Sequence, residues 1–166
     1  MRSIDIHLRY KAYDASAELD AQGRSLLDQA REASAKAYAP YSGFSVGAAV
    51  LLENGEVICG SNQENAAYPS GLCAERTALF FAASKYPGVA VTAMAVSART
   101  EQFPLQGPVF PCGACRQVMV EYESLHHQPM RVLMDGPEGH AMEAVSAADL
   151  LPLSFTAEGL KKQKNQ

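Results

Sequence analysis

The sequence predicts a layered α/β domain in which strands and helices alternate along one chain. Three observations carry that prediction. Short apolar runs bounded by Pro, Gly and Asn alternate with longer stretches whose apolar residues recur every three or four positions. The 166 residues are 48% hydrophobic and 19% charged, so a core can form without cross-links. No repeat, low-complexity segment or dividing linker interrupts the pattern. Residues 1–166 are therefore read as one domain, with 1–15 as an N-terminal extension and 157–166 as a flexible tail.

Each element has its own signal. Ile4, Ile6, Leu8 and Tyr10 alternate with Ser3, Asp5, His7 and Arg9, which predicts a half-buried strand over 3–10 at a sheet edge. Leu26, Leu27, Ala30, Ala33 and Ala37 form one stripe of a helix over roughly 17–38, stopped by Pro40. The apolar run from Ser45 to Leu52 and the segment from Glu56 to Cys59 flank Asn54-Gly55, a hairpin signal that rests on both turn residues tolerating positive φ. After Pro69-Ser70-Gly71 a helix is predicted from about Cys73 to Lys85, then a buried strand over Val89 to Ala98. A loop rich in Pro and Gly spans 101–111, and a helix follows from about Gly113 to Glu123. Two short strands, Arg131 to Met134 and His140 to Val145, precede a last helical turn capped by Ser146.

Charge narrows the function. Fourteen Lys and Arg against eighteen Asp and Glu give a net charge of −4, which lacks the clustered positive charge that binding to nucleic-acid phosphates requires. The basic run Lys161-Lys162-Gln163-Lys164 reads as a solvated terminus. No apolar run reaches membrane-spanning length, and the first residues lack the continuous apolar stretch of a signal peptide. The expected compartment is cytoplasmic, where thiols stay reduced.

The four cysteines then point to a metal rather than to disulfides. Cys112-Gly-Ala-Cys115 opens a helix after Pro111, and Cys73 opens another after a breaker. Exposed amides and the helix dipole at such positions favour thiolate, the form that binds metal. Three protein ligands and one open position make the pattern of a catalytic zinc. Cys59, in mid-strand, reads as a small buried packing residue, and His7, His126, His127 and His140 have no ligand-like spacing to the cysteines. If Cys73 sits at the cap or first position of its helix, Glu75 converges on the same site, where a carboxylate can move protons between water and substrate. Three thiolates on Zn²⁺ leave a net charge of −1, so a nearby cation should offset it. Arg76 and Arg116 are the candidates.

The motifs Cys73-Ala-Glu-Arg-Thr-Ala78 and Pro111-Cys-Gly-Ala-Cys-Arg-Gln117, with Tyr41-Ser-Gly-Phe44-Ser-Val-Gly-Ala-Ala49 and Asn62-Gln-Glu-Asn65 upstream, resemble the cytidine deaminases. More narrowly, they resemble the small, homotetrameric, three-cysteine form. The likeness covers about residues 22–156 and matches the signature of a first ligand, a Glu and Pro-Cys-x-x-Cys. It implies a three-layer α/β/α sandwich around a mixed, roughly five-stranded sheet, with residues 3–10 as an added edge strand. It implies one zinc on Cys73, Cys112 and Cys115, attack of water at C4 of cytosine, and Glu75 protonating N3 and then the departing amine. Ammonia and uridine or 2′-deoxyuridine would result, as in pyrimidine salvage. Asn62 and Glu64 would grip the ribose hydroxyls, Phe44 would lie beside the base, and the Ala74 amide would reach the base carbonyl. Tyr68 and Phe155 would contribute to sites completed between subunits.

Two features depart from the family pattern. Phe110 stands where many relatives have a small hydroxyl residue, and the Ile4–Tyr10 segment precedes the usual start. Two other readings predict different things. A related deaminase would act on another aminated nucleoside, such as blasticidin S, or on a polynucleotide. A structural zinc module would close its site with Cys59 and have no use for Glu75.

Overall fold

The computed structural model describes residues 1–157; the basic run at 161–164 and nearly all of the expected tail lie outside them. Six strands form one mixed sheet: β1 (Tyr10–Tyr13), β2 (Ser45–Leu52), β3 (Val57–Ser61), β4 (Val91–Arg99), β5 (Arg131–Asp135) and β6 (Ala141–Ala144). Their order across the sheet is β1-β6-β5-β4-β2-β3. Only β4 and β5 run parallel, and the helix between them makes the crossover that a parallel pair requires. Helix α1 (Ala21–Ser34) covers one face; α2 (Ala74–Lys85) and α3 (Gly113–His126) cover the other. This is the expected three-layer arrangement, with β1 as the sixth, outermost strand.

Strand β2 shows how the layers are made. Ala48 and Val50 point to the core shared with Ala78, Leu79 and Met119, while Ala49 and Leu51 point to Leu26, Leu27 and Ala30 of α1. Side chains alternate across a strand, so a strand buried on both faces reads as a continuous apolar run. Two glycines bring helices unusually near the sheet. A Cβ on Gly47 would lie 2.0 Å from Ala30 O, and one on Gly60 would lie 2.6 Å from Ala78 N and 2.8 Å from Ala74 O. Gly60 thus lets the start of α2 lie directly on β3.

Four expectations need correction. The N-terminal strand begins at Tyr10 rather than Ser3, because β6 ends at Ala144, the partner of Tyr10, and offers earlier residues nothing to pair with. What anchors β1 is Glu143, buried on β6, which accepts from Lys11 Nζ at 2.8 Å and Tyr13 OH at 3.0 Å and pairs with Arg131 at 2.6 Å. The helix expected over 17–38 is confined to 21–34: Asp20 caps it, accepting from Gly23 N at 2.6 Å, and a separate 3-10 turn occupies Ser16–Glu18. At the hairpin only Gly55 takes a positive φ, 86°, and Gly55 N donates to Leu52 O, so the loop is the longer type with glycine at its left-handed position. Cys59 is exposed, not buried, because β3 is the other sheet edge.

Candidate active site

Two helix starts meet on one face of the sheet. Cys73 is the N-cap of α2 and Cys112 the N-cap of α3, both in extended backbone conformation. Cys115, fully buried, lies in the first turn of α3. The sulfurs of Cys73 and Cys112 are 4.0 Å apart, those of Cys112 and Cys115 are 3.5 Å apart, and all three fall within 4.8 Å of one another. No disulfide joins them. Three thiols converging at two helix N-termini form a donor set that suits a soft divalent metal such as zinc. Cys59 takes no part in the cluster, so the fourth thiolate of a closed structural site is not supplied from there.

Electrostatics divide the cluster. Hydrogen bonding to Cys115 and the Arg76 guanidinium pull the Cys73 thiol down to about 5, while Cys115, bonded to Cys73 and buried, is pushed up. One thiolate is therefore already stabilised by protein groups alone. Arg76 supplies the cation, its guanidinium 3.6 Å from Cys73 Sγ, and its own pKa rises in return. Arg76 Nε is buried without a hydrogen-bond partner. Arg116 does not join the cluster: its Nε donates to Pro111 O at 2.7 Å and its terminal nitrogen to Leu150 O at 3.1 Å. It ties the start of α3 to the turn after β6.

Glu75, the second residue of α2, is 4% exposed yet lines the cavity in front of the cysteines. Burial, and then the charge of Cys73, push its carboxyl above the ordinary value. A carboxyl so placed is prepared to hold a proton and release it.

The cavity encloses about 700 Å³, in the range of small-molecule sites. Its walls carry Phe44, Asn62, Glu64 and Tyr68, with Cys73, Glu75, Arg76 and Cys112 at one end. Asn62 holds the entry to β2 in place: its Oδ1 accepts from Val46 N at 2.7 Å and its amide donates to Phe44 O at 3.0 Å. Glu64 accepts from Tyr41 N at 2.8 Å and from the Ser42 hydroxyl, and these bonds lower its pKa. Ala74 is fully buried at the first position of α2, where a backbone N–H has no intrahelical acceptor.

Tyr68 stands in a 3-10 turn on its own chain's cavity wall, edge-on to Tyr41. Phe155 lies outside this cavity, 68% exposed, its backbone held by Gln117. Tyr41, Val109 and Phe110 also line the cavity. Phe110 is the residue that departs from the family pattern; Tyr41 opens the motif over 41–49, which could have flagged it, and Val109 carried no local signal.

Comparison with known proteins agrees with this geometry. Residues 21–127 match the family described as the cytidine and deoxycytidylate deaminase zinc-binding region. A cytidine deaminase from Halalkalibacterium halodurans is 46% identical, covering 81% of this chain and 95% of the relative. One from Sporosarcina psychrophila is 44% identical over 85% of this chain and 96% of its own. The crystal structure of cytidine deaminase from Burkholderia pseudomallei superposes with a TM-score of 0.69 at 44% identity, covering 79% of this chain and 97% of that one. The chain belongs to the cytidine deaminase family.

Proposed function

We propose that this chain catalyses the hydrolytic deamination of cytidine and 2′-deoxycytidine to uridine and 2′-deoxyuridine, releasing ammonia, in pyrimidine salvage in the cytoplasm. The observation that carries the reading is Glu75, a buried carboxyl with a raised pKa, facing a nucleoside-sized cavity beside three convergent thiols. Cys73, Cys112 and Cys115 would hold one zinc per chain. When bound there, the metal supplies the Lewis acidity that makes water nucleophilic near neutral pH.

The chain's own groups account for the rest. As the water oxygen bonds to C4, Glu75 takes one of its protons and delivers it to N3; it then moves the remaining hydroxyl proton to the amine as the C4–N4 bond breaks, so that water and cytidine become uridine and ammonia. Arg76 offsets the negative charge of the thiolates. Phe44 flanks the base and the Ala74 amide donates to its carbonyl. Asn62 and Glu64 retain donor and acceptor capacity beyond the backbone bonds they already make, enough to bind the ribose hydroxyls. Of the charged residues on the cavity wall, Glu64 and Glu75 are acidic and the one guanidinium, Arg76, is turned to Cys73, which favours an uncharged nucleoside over a nucleotide.

A homotetramer fits the outer face of α2, where Phe80 and Phe81 are exposed within the apolar run from Ala78 to Ala83. Tyr68 and Phe155 would then contribute to sites shared between subunits. No helix among the described residues is long and apolar enough to cross a membrane.

Metal analysis together with the ultraviolet change on incubation with cytidine and deoxycytidine tests the assignment. One zinc per chain and turnover of both are expected. A zinc-replete chain that turns over neither overturns it, and turnover of blasticidin S alone would reassign the substrate.

A further inference from the structure

Ahead of β1 the chain carries a strand-like pattern with no partner. Ile4, Ile6 and Leu8 continue the side of the strand on which Tyr10 lies, and their exposures are 75%, 50% and 41%. The family match begins only at residue 21, so this segment lies outside it. Among the described residues β1 pairs with β6 alone, on one side, and its other edge is open. An open edge continued by alternating apolar residues is a template for another strand.

The sequence identifies that strand by its charges. Side chains on one face of an antiparallel pair stay on one face only if the paired residue numbers sum to an even value. When two copies pair about His7, Asp5 lies opposite Arg9 twice, Ile6 opposite Leu8 twice, and Ile4 opposite Tyr10 twice. Centring on Leu8 instead sets His7 against Arg9 and Asp5 against Lys11, which is already committed to Glu143 at 2.8 Å. Centring on Ile6 leaves Arg9 opposite Ser3. Opposite charges and matched apolar pairs across strands are the stabilising unit of a sheet, so the His7 register is the favoured one. It is also a two-fold arrangement, the usual symmetry of a contact between identical chains.

We propose that residues 4–10 of two copies of this chain pair antiparallel about His7, each extending its own β1, to form an interface separate from the deaminase core. The segment acts as a subunit-joining arm.

Directed cross-linking of the intact, zinc-loaded chain tests this. Cys59→Ser, which removes an exposed thiol that does not line the cavity, is the parent. In that background His7→Cys is expected to give a disulfide-linked pair with oxidised glutathione, since directly opposed Cβ atoms lie near disulfide distance. Asp5→Cys and Arg9→Cys each alone should stay single, yet link to one another when co-expressed. Adding Asp5→Arg to the His7→Cys variant should reduce linkage several-fold, and adding Arg9→Asp as well should restore it. No linkage at residue 7, equal linkage at all three positions, or indifference to the Asp5→Arg change each overturns the proposal.

Discussion

The guanidinium of Arg76 lies 3.6 Å from Cys73 Sγ, three residues along from the cysteine that starts the same helix. One turn of α2 therefore holds both a thiol of the three-cysteine cluster and the charge that steadies it. Arg76→Gln is shorter, keeps an NH₂ donor and removes the charge. It is expected to weaken metal retention by about 10- to 100-fold, the usual effect of removing a group that supports a ligand. Competition with a zinc chelator measures this, and unchanged retention would show that the helix starts alone suffice.

Glu75→Gln separates proton transfer from metal binding. The amide keeps the shape at a site only 4% exposed, so the metal should remain. The rate constant kcat should fall by at least about 10²–10⁴-fold, the contribution of a positioned acid–base group. Single-turnover assays on zinc-loaded protein check it, and near-normal turnover would remove Glu75 from the chemistry.

Gly60→Ala acts at a distance. The added methyl meets backbone atoms of Ala78 and Ala74 rather than a flexible side chain, so α2 must move. A loss of about 1–3 kcal/mol in stability is expected from such overpacking. Because Ala74 adjoins Cys73, zinc retention should decline with it. Denaturant unfolding and metal analysis on the same sample read both effects.

Acid should loosen the β1 edge. Burial works to raise the pKa of Glu143, but bonds from Lys11, Arg131 and Tyr13 outweigh it and hold the carboxyl below its ordinary value. A depressed folded-state pKa adds stability above the unfolded value, and that stability is lost as pH falls through the folded one. Thermal unfolding should thus show a drop in Tm below about pH 4 that is smaller in Glu143→Gln. The variant itself should be less stable at neutral pH by about 1–3 kcal/mol, because it leaves Lys11 and Arg131 unbalanced. An identical acid limb in both proteins would place the acid sensitivity elsewhere.

The parts legible in the sequence are those with a local cause. Strand β2 declared itself by burial on both faces, α2 and α3 by the breakers before them, and the three clustered cysteines by their positions at those starts. Alternation over 3–10 showed a face but not a partner, and the partner strand ends at Ala144, so pairing stops at Tyr10. Cys59 looked buried because an edge strand reads like an inner one until strand order is known. Arg116 stood beside Cys115 in sequence, but its hydrogen bonds run to the carbonyls of Pro111 and Leu150, the latter 34 residues away. The cavity wall at Val109 depends on a loop folded back so that Val109 N donates to Asp135 O, a contact between segments that no local pattern announces.

Neither Cys73 nor Cys112 accepts a hydrogen bond through its side chain from a backbone amide of its own helix, although each occupies the N-cap position. Ser, Thr, Asp or Asn there would satisfy one of the first amides and secure the opening turn. These two helices have given up that fastening in favour of sulfur. A metal gripping both caps would then serve as the missing fastening for α2 and α3 at once, and its removal should be felt first as fraying. Faster amide exchange at Glu75, Arg76, Ala114 and Cys115, ahead of any change in the sheet, would be its signature.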